Sequence, residues 1–380
     1  MNKILETTSL IICFGFAVTV PFSMAASLIT MLGMGGLILV KILANKDALR
    51  KILHPQKDLI WMLIPLVYFI SLSYSRNFHR GWEQWQILLP LIVLPIFFEL
   101  FSFQSMRIKP GTVYVIACVI SILLHFIPYT IWPAQLVKSL GPTSLFFTPV
   151  QNSWIWWSAI MTLILKTDKV KADQLFMMIL LSAMMYLGQV GLLLLVYIMY
   201  VIKEWKQDRD ELSEMLTRVM IFLPLFFISG WIFFPAFQNS VLNIGYALLS
   251  LYTKEEVVGP VKWFITDATC TIQQWWLHPL SGVGIGDYID AMWNQYQSIK
   301  LDLPEAPYQQ IGHMLLSGGM MFLIVFFLIW NAYRSSDRYT KSLVAILLVT
   351  MIFFAPLNSQ ISAFVFLLPL FFTTMNTSHD

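Results

Sequence analysis

The sequence predicts an all-α, polytopic membrane protein of about twelve transmembrane helices, carrying a helical cap outside the membrane. Three observations predict it. The 380 residues are 58% hydrophobic and 12% charged, with a mean hydropathy of +0.70. A soluble domain carries about 25% charged residues to solvate its surface. The apolar runs are long and do not alternate, which favours helices over a transmembrane barrel. Aromatic residues reach 15%, with 14 Trp, a composition suited to anchoring at two membrane interfaces.

The elements follow in chain order. Lys3 precedes an apolar run at 8–22, read as a retained first span because no cleavage site leads into a polar mature segment. Further spans are read at 24–43, 58–74, 86–103, 111–131 and 150–166. Several fall short of the ~20 residues a full crossing takes, so their limits are approximate. The stretch 174–203 is divided at Gly188-Gln189 into spans at 174–187 and 189–203, because a polar break interrupts the run. A charged segment from Lys203 to Arg218 reads as a solvated helix, and spans at 217–236, 309–332, 340–356 and 361–376 complete the set.

The cations test this order. With the N-terminus inside, 18 of the 24 Lys and Arg fall on the inner side and 6 on the outer, as the positive-inside rule requires. The outer six are Arg76, Arg80, Lys138, Lys254, Lys262 and Lys300. Both termini are therefore expected in the cytoplasm. The chain divides into helices at 1–236, an extracytoplasmic cap at 237–308 and helices at 309–380. Within the cap, 263–277 and 288–300 read as short amphipathic helices, separated by His278-Pro279 and the Gly282-x-Gly284-x-Gly286 run.

Three segments hold residues with chemical potential. The first is Ser73-Tyr74-Ser75-Arg76-Asn77-Phe78-His79-Arg80-Gly81-Trp82-Glu83. Its arginines oppose the charge bias and form a candidate clamp for a diphosphate, since the guanidinium fork matches phosphate oxygens. The plainer reading is interfacial snorkelling with Glu83 as partner. The second is Pro279-Leu280-Ser281-Gly282-Val283-Gly284-Ile285-Gly286-Asp287. Its glycines admit a close backbone approach, by a ligand or by a tight turn. Asp287 most simply caps the next helix, with Asp290 adding a favourable dipole term. The third is Pro307-Tyr308-Gln309-Gln310-Ile311-Gly312-His313, then Gly318-Gly319, where the cap re-enters the membrane. His313 there is a candidate base or proton shuttle, or a histidine hydrogen-bonded between helices. The cysteines, Cys13, Cys118 and Cys270, have no metal-ligand spacing and imply no disulfide framework.

Taken together these segments resemble the O-antigen ligase and polymerase family. The likeness covers most of the chain: about a dozen spans, one large outer loop late in the sequence, and two local signatures. One signature is P-x-x-G-V-G-x-G-D after an aromatic-containing helix, matched by Pro279 to Asp287. The other is P-H-N-x-Y-L with a glycine about ten residues on, met here as Pro307-Tyr308-Gln309-Gln310-Ile311-Gly312 with Gly319. The family histidine falls on Tyr308, its cap-helix arginine falls near Phe264 with Lys262 the nearest cation, and an arginine of the eighth span falls on Gln189.

The resemblance implies a glycosyltransferase of the bacterial inner (cytoplasmic) membrane. It would use polyprenyl-diphosphate-linked glycan on the outer face in surface polysaccharide biosynthesis, with membrane lipid around it. No nucleotide, metal, other cofactor or nucleic acid is expected. His313, Arg76 and Arg80 are the candidate catalytic residues. Tyr308, Gln309, Lys262, His278 and Asp287 are the candidate substrate-binding ones. Two alternatives stay open. One is a non-catalytic member of a polysaccharide assembly complex, in keeping with the altered motif positions. The other is a transporter or flippase of the same lipid, although the spans hold few charges besides Glu99.

Overall fold

The computed structural model describes residues 2–53, 57–101, 109–131, 149–165, 171–204, 225, 227–253, 260–298, 310–336, 338–354, 356–357 and 360–377. Among these every regular element is a helix. Two stretches among the described residues are long and apolar enough to cross a membrane, Met24–Ala44 with a mean hydropathy of 2.0 and Phe78–Leu100 with 1.3. Shorter apolar helices accompany them, among them Val190–Val201, Met320–Tyr333 and Thr340–Ile352. Many of their large apolar side chains point outward, for example Leu32, Leu43, Met178 and Phe327. The charged segment before residue 217 lies largely outside the described residues; of the span expected at 217–236, residues 225 and 227–236 are described, helical over 227–233 and broken at Phe234 before a new helix opens at Pro235.

The chain forms two compact units. The first comprises Met1–Leu37, Phe101–Asn243 and Leu367–Asp380. Its centre is the helix Pro149–Leu165, on which Trp154, Trp156, Trp157 and nearly every neighbouring side chain are buried. Asn152, Ser153 and Ser158 on the same helix are buried with them. Pro110–Ile131, Lys171–Tyr186, Val190–Glu204 and Leu368–Thr377 pack around it. Tyr114 Oη donates to the Ile155 carbonyl at 3.0 Å. The break expected at Gly188-Gln189 is present: helices end at Tyr186 and restart at Val190, and Gly188 has φ +67°.

The second unit comprises Ile38–Leu100 and Ile244–Phe366. It is built on a pair of helices that the sequence shows as apolar runs. Lys57–Met62 is a 3-10 turn leading into the helix Leu63–Leu72, and this run packs against Met320–Tyr333. Ring and phenol contacts fix the pair along its length. Trp61 Nε1 donates to Tyr333 Oη at 3.2 Å, and Tyr333 Oη donates to Asp58 at 2.6 Å. Further along, the Tyr68 and Phe322 rings lie 4.7 Å apart.

The expected continuous span at 309–332 is instead two helices, Gln310–Gly318 and Met320–Tyr333, broken at Gly319 with φ +62°. The span expected at 86–103 begins earlier, since residues 78–87 are already helical. The cap helices run Pro260–Leu277 and Tyr288–Ser298, close to expectation, and a further helix at Pro235–Thr253 precedes them.

Candidate functional site

The second unit gathers the described parts of the three chemically interesting segments, the third from Gln310 onward, at one place. The helix Leu63–Leu72 stops where Ser73 donates from its backbone N–H and its hydroxyl to the Ile70 carbonyl. The next helix, Phe78–Ile87, starts from Asn77, whose side chain accepts from Arg80 N at 3.2 Å. Asparagine at an N-cap satisfies one of the helix's orphan N–H groups. The short link left between them exposes backbone donors toward the glycine-rich loop. Arg76 N and Asn77 N both donate to the Asp287 carboxylate, at 2.7 and 3.0 Å, and Gly286 N donates to Ser75 Oγ at 3.0 Å.

On its other side the same loop closes the break at Gly319. A helix end leaves carbonyls without intrahelical partners, and a helix start leaves N–H groups. Val283 N donates to the Leu316 carbonyl at 2.7 Å, and Gly284 N donates to that of Ser317 at 3.1 Å. Met320 N, opening the next helix, donates to the Pro279 carbonyl at 2.9 Å. Tyr74 Oη reaches the Ser281 carbonyl.

The glycines answer to this packing. A Cβ at Gly282, whose φ is +69°, would lie 2.4 Å from the Leu316 oxygen, and one at Gly286 would lie 2.0 Å from the Asn77 oxygen. The close approach that the motif permits is therefore made by this chain's own backbone.

Behind the loop lies a buried file of polar side chains. Asp267, fully buried on the inner face of Pro260–Leu277, accepts from Tyr288 Oη at 3.3 Å and from Tyr296 Oη at 3.1 Å. Tyr288, Met292 and Tyr296 recur every fourth residue, so one helical face delivers both phenols. Burial, and then the charge of Asp267, push the Tyr288 phenol well above its usual value of 10. The same two causes raise the Cys270 thiol.

The Tyr288 ring meets the His313 ring edge-on at 4.5 Å. His313 is 7% exposed, and its Nδ1 lies 3.4 Å from Tyr68 Oη, which also accepts from Gln310 Nε2 at 3.4 Å. Gln310 in turn takes the Leu357 N–H at 3.1 Å. His313 Nε2 is buried and has no hydrogen-bond partner among the described residues.

The residues singled out in the sequence separate accordingly. Arg76 contributes its backbone N–H to Asp287 and leaves its side chain exposed. Arg80 Nη1 pairs with Asp290 at 3.2 Å, whereas Glu83, the partner first expected for the arginines, pairs with His79 at 3.4 Å. Asp287 stands at the expected cap position, but both of its oxygens are engaged by the 76–77 backbone, so it holds the loop. His278 is exposed at the loop entrance. Lys262 lies in the first turn of Pro260–Leu277, and its side chain falls outside the described residues. Tyr308 and Gln309 also lie outside them.

Sequence reading missed Tyr68, Asp267, Tyr288 and Tyr296. The available signal was Asp267, the one carboxylate in an otherwise uncharged turn of an amphipathic cap helix. Among the described residues no group of three His, Cys, Asp or Glu is placed to hold a metal ion. Compared with known proteins, the chain matches no family profile and no curated sequence.

Proposed function

We propose that this chain crosses the membrane about twelve times with both ends inside, and that it transfers or polymerises polyprenyl-diphosphate-linked glycan at the outer face. The 18-to-6 cation split supports the topology. One observation supports the activity. The Pro279–Asp287 signature docks between the 73–77 link and the break at Gly319, the glycine of the second signature, and Arg76 extends an exposed guanidinium from this junction.

In this reading an acceptor hydroxyl attacks the anomeric carbon and the bond from that carbon to the phosphate oxygen breaks. Polyprenyl diphosphate departs, its growing charge met by Arg76 and by Arg80. The hydroxyl proton passes to His313, whose buried Nε2 has no hydrogen-bond partner among the described residues.

A second reading is favoured by one contact. Arg80 is already held by Asp290, as suits a non-catalytic member of a polysaccharide assembly complex. The test is complementation of a deletion strain by Arg76→Ala, Arg76→Ala with Arg80→Ala, and His313→Gln, each at confirmed membrane abundance. Glycan is profiled for chain length and for attachment to lipid A or another acceptor. Loss in all of them supports transfer. Wild-type profiles from the double variant rule out the arginine clamp and leave the non-catalytic reading.

A further inference from the structure

The cap helix Pro260–Leu277 has two faces of different character. Asp267, Cys270 and Thr271 are buried, and Cys270 joins Tyr288, Met292 and Tyr296 in the cap's core. The opposite face carries Ile265, Thr269, Ile272 and Trp276, within about 60° of arc at 3.6 residues per turn. These side chains are exposed, Ile272 by 58% and Trp276 by 75%, and the stripe holds no charge. A soluble cap would place polar groups there.

The stripe does not end with the helix. Leu280, 73% exposed, follows it, and the adjacent Pro279 carbonyl takes the first N–H of Met320–Tyr333. That helix is apolar throughout and turns Ile324 and Phe327 outward. Exposed apolar side chains therefore lie on Met320–Tyr333, on the glycine-rich loop at Leu280 and along the outer face of Pro260–Leu277, with Gln273 and His278 the exposed polar groups beside them.

We infer that Pro260–Leu277 is an interfacial helix: its Ile265–Ile272–Trp276 stripe lies in the outer leaflet, at the boundary of headgroups and acyl chains. The occupant of this surface is lipid. Its continuity with the outward face of Met320–Tyr333 argues for lipid, and so does a tryptophan at the end of the stripe, where an amphipathic ring suits the headgroup level. The cap then lies against the bilayer instead of standing clear of it. Its buried Asp267–Tyr288–His313 file is held just behind the leaflet in which a lipid-linked substrate would travel. This inference rests on the membrane reading and does not depend on glycan transfer.

The test is the depth of single nitroxide labels in protein reconstituted into phosphatidylcholine–phosphatidylglycerol nanodiscs. Labels are placed at Ile272→Cys, Trp276→Cys, Phe327→Cys and His79→Cys, with Cys13, Cys118 and Cys270 replaced by alanine. The labelled side chains are exposed, so the substitutions leave the core in place. Labels at 272 and 276 are expected to collide with oxygen several-fold more than with a polar nickel chelate, as at 327, while the label at 79 shows the reverse.

If 327 reports lipid but 272 and 276 report water, the interfacial helix is wrong and the membrane reading stands. If 327 also reports water, both fail. If 272 and 276 are shielded from both reagents, protein covers the stripe and the inference is overturned. Should the cysteine-free background fail to accumulate, benzoylphenylalanine at 272 and 276 in the otherwise native chain gives the same decision: crosslinks to phospholipid support the inference, and crosslinks to protein overturn it.

Discussion

Replacing Gly286 by alanine tests how the candidate site is held together. The added Cβ would lie 2.0 Å from the Asn77 carbonyl oxygen and 2.5 Å from Ser75 Oγ, where contacts under 3.0 Å force something to shift. The nearest atom is backbone, so no side chain can swing aside. The loop and the 75–77 link must part by about 1 Å.

That separation breaks the Gly286–Ser75 hydrogen bond, a net loss of about 1 kcal/mol. It also strains the two bonds from Arg76 and Asn77 to Asp287. A hydrogen bond to a charged group is worth about 1.5–3 kcal/mol when buried, and less here because the Arg76 N–H is exposed. The sum is on the order of 2 to 4 kcal/mol, at or slightly above the ~1–3 kcal/mol usual for overpacking. In detergent-solubilised protein, followed by tryptophan fluorescence, the melting temperature should fall by about 3 to 5 °C.

Limited trypsin digestion reads the same event locally, because the exposed Arg76 lies in the link that would loosen. Gly36→Ala is the control. It lies within Met24–Ala44, no atom lies within 4 Å of its Cβ position, and alanine is favoured over glycine in a helix by up to ~1 kcal/mol. Wild-type melting and wild-type cleavage at Arg76 in Gly286→Ala would refute the stitched-loop account.

Three further outcomes are expected. Asp290→Ala removes the partner of Arg80 in an exposed pair worth about 0–1 kcal/mol, so melting should be unchanged while any transfer activity changes by no more than a few-fold. Tyr288 keeps its proton in the folded state above the pH at which an unfolded tyrosine loses it. Stability from that difference is present below about pH 10 and is lost as pH rises toward the elevated native value. Tyr288→Phe should therefore flatten the alkaline loss measured by chemical unfolding between pH 9 and 11. In intact cells an impermeant thiol reagent should label a cysteine at position 79 and not one at position 206, and the reverse would overturn the topology.

Local features were legible in the sequence where a single segment decides them. The cap helices were placed within about three residues because His278-Pro279 and Asp287 punctuate them, and the first starts earlier than expected, at Pro260. The stop at Gly188 was visible because glycine and a polar neighbour interrupt an apolar run. The partnerships were hidden. Asp287 occupies the expected cap position, yet its carboxylate reaches back 211 positions to Arg76, and nothing in either segment's composition announces that pairing. Arg80 with Asp290, 210 positions apart, is the same case. The break at Gly319 was written in the Gly318-Gly319 pair, but apolar residues on both sides outweighed it. His313 was noticed for its chemistry, whereas Tyr68 and Tyr288 on either side of it were read as ordinary span and cap residues.

The Gly319 break also bears on the order of assembly. A helix that starts among apolar side chains needs an acceptor for its first N–H groups, because a buried N–H left unmet is costly. Met320 finds one such acceptor in Pro279, and the carbonyls of Leu316 and Ser317 find their donors in Val283 and Gly284. All of these loop groups precede residues 316–320 in the chain and leave the ribosome first. An apolar helix arriving late thus meets a receptor already synthesised. A chain whose loop is mis-set, as in Gly286→Ala, would show its defect first as slow or incomplete docking of Met320–Tyr333.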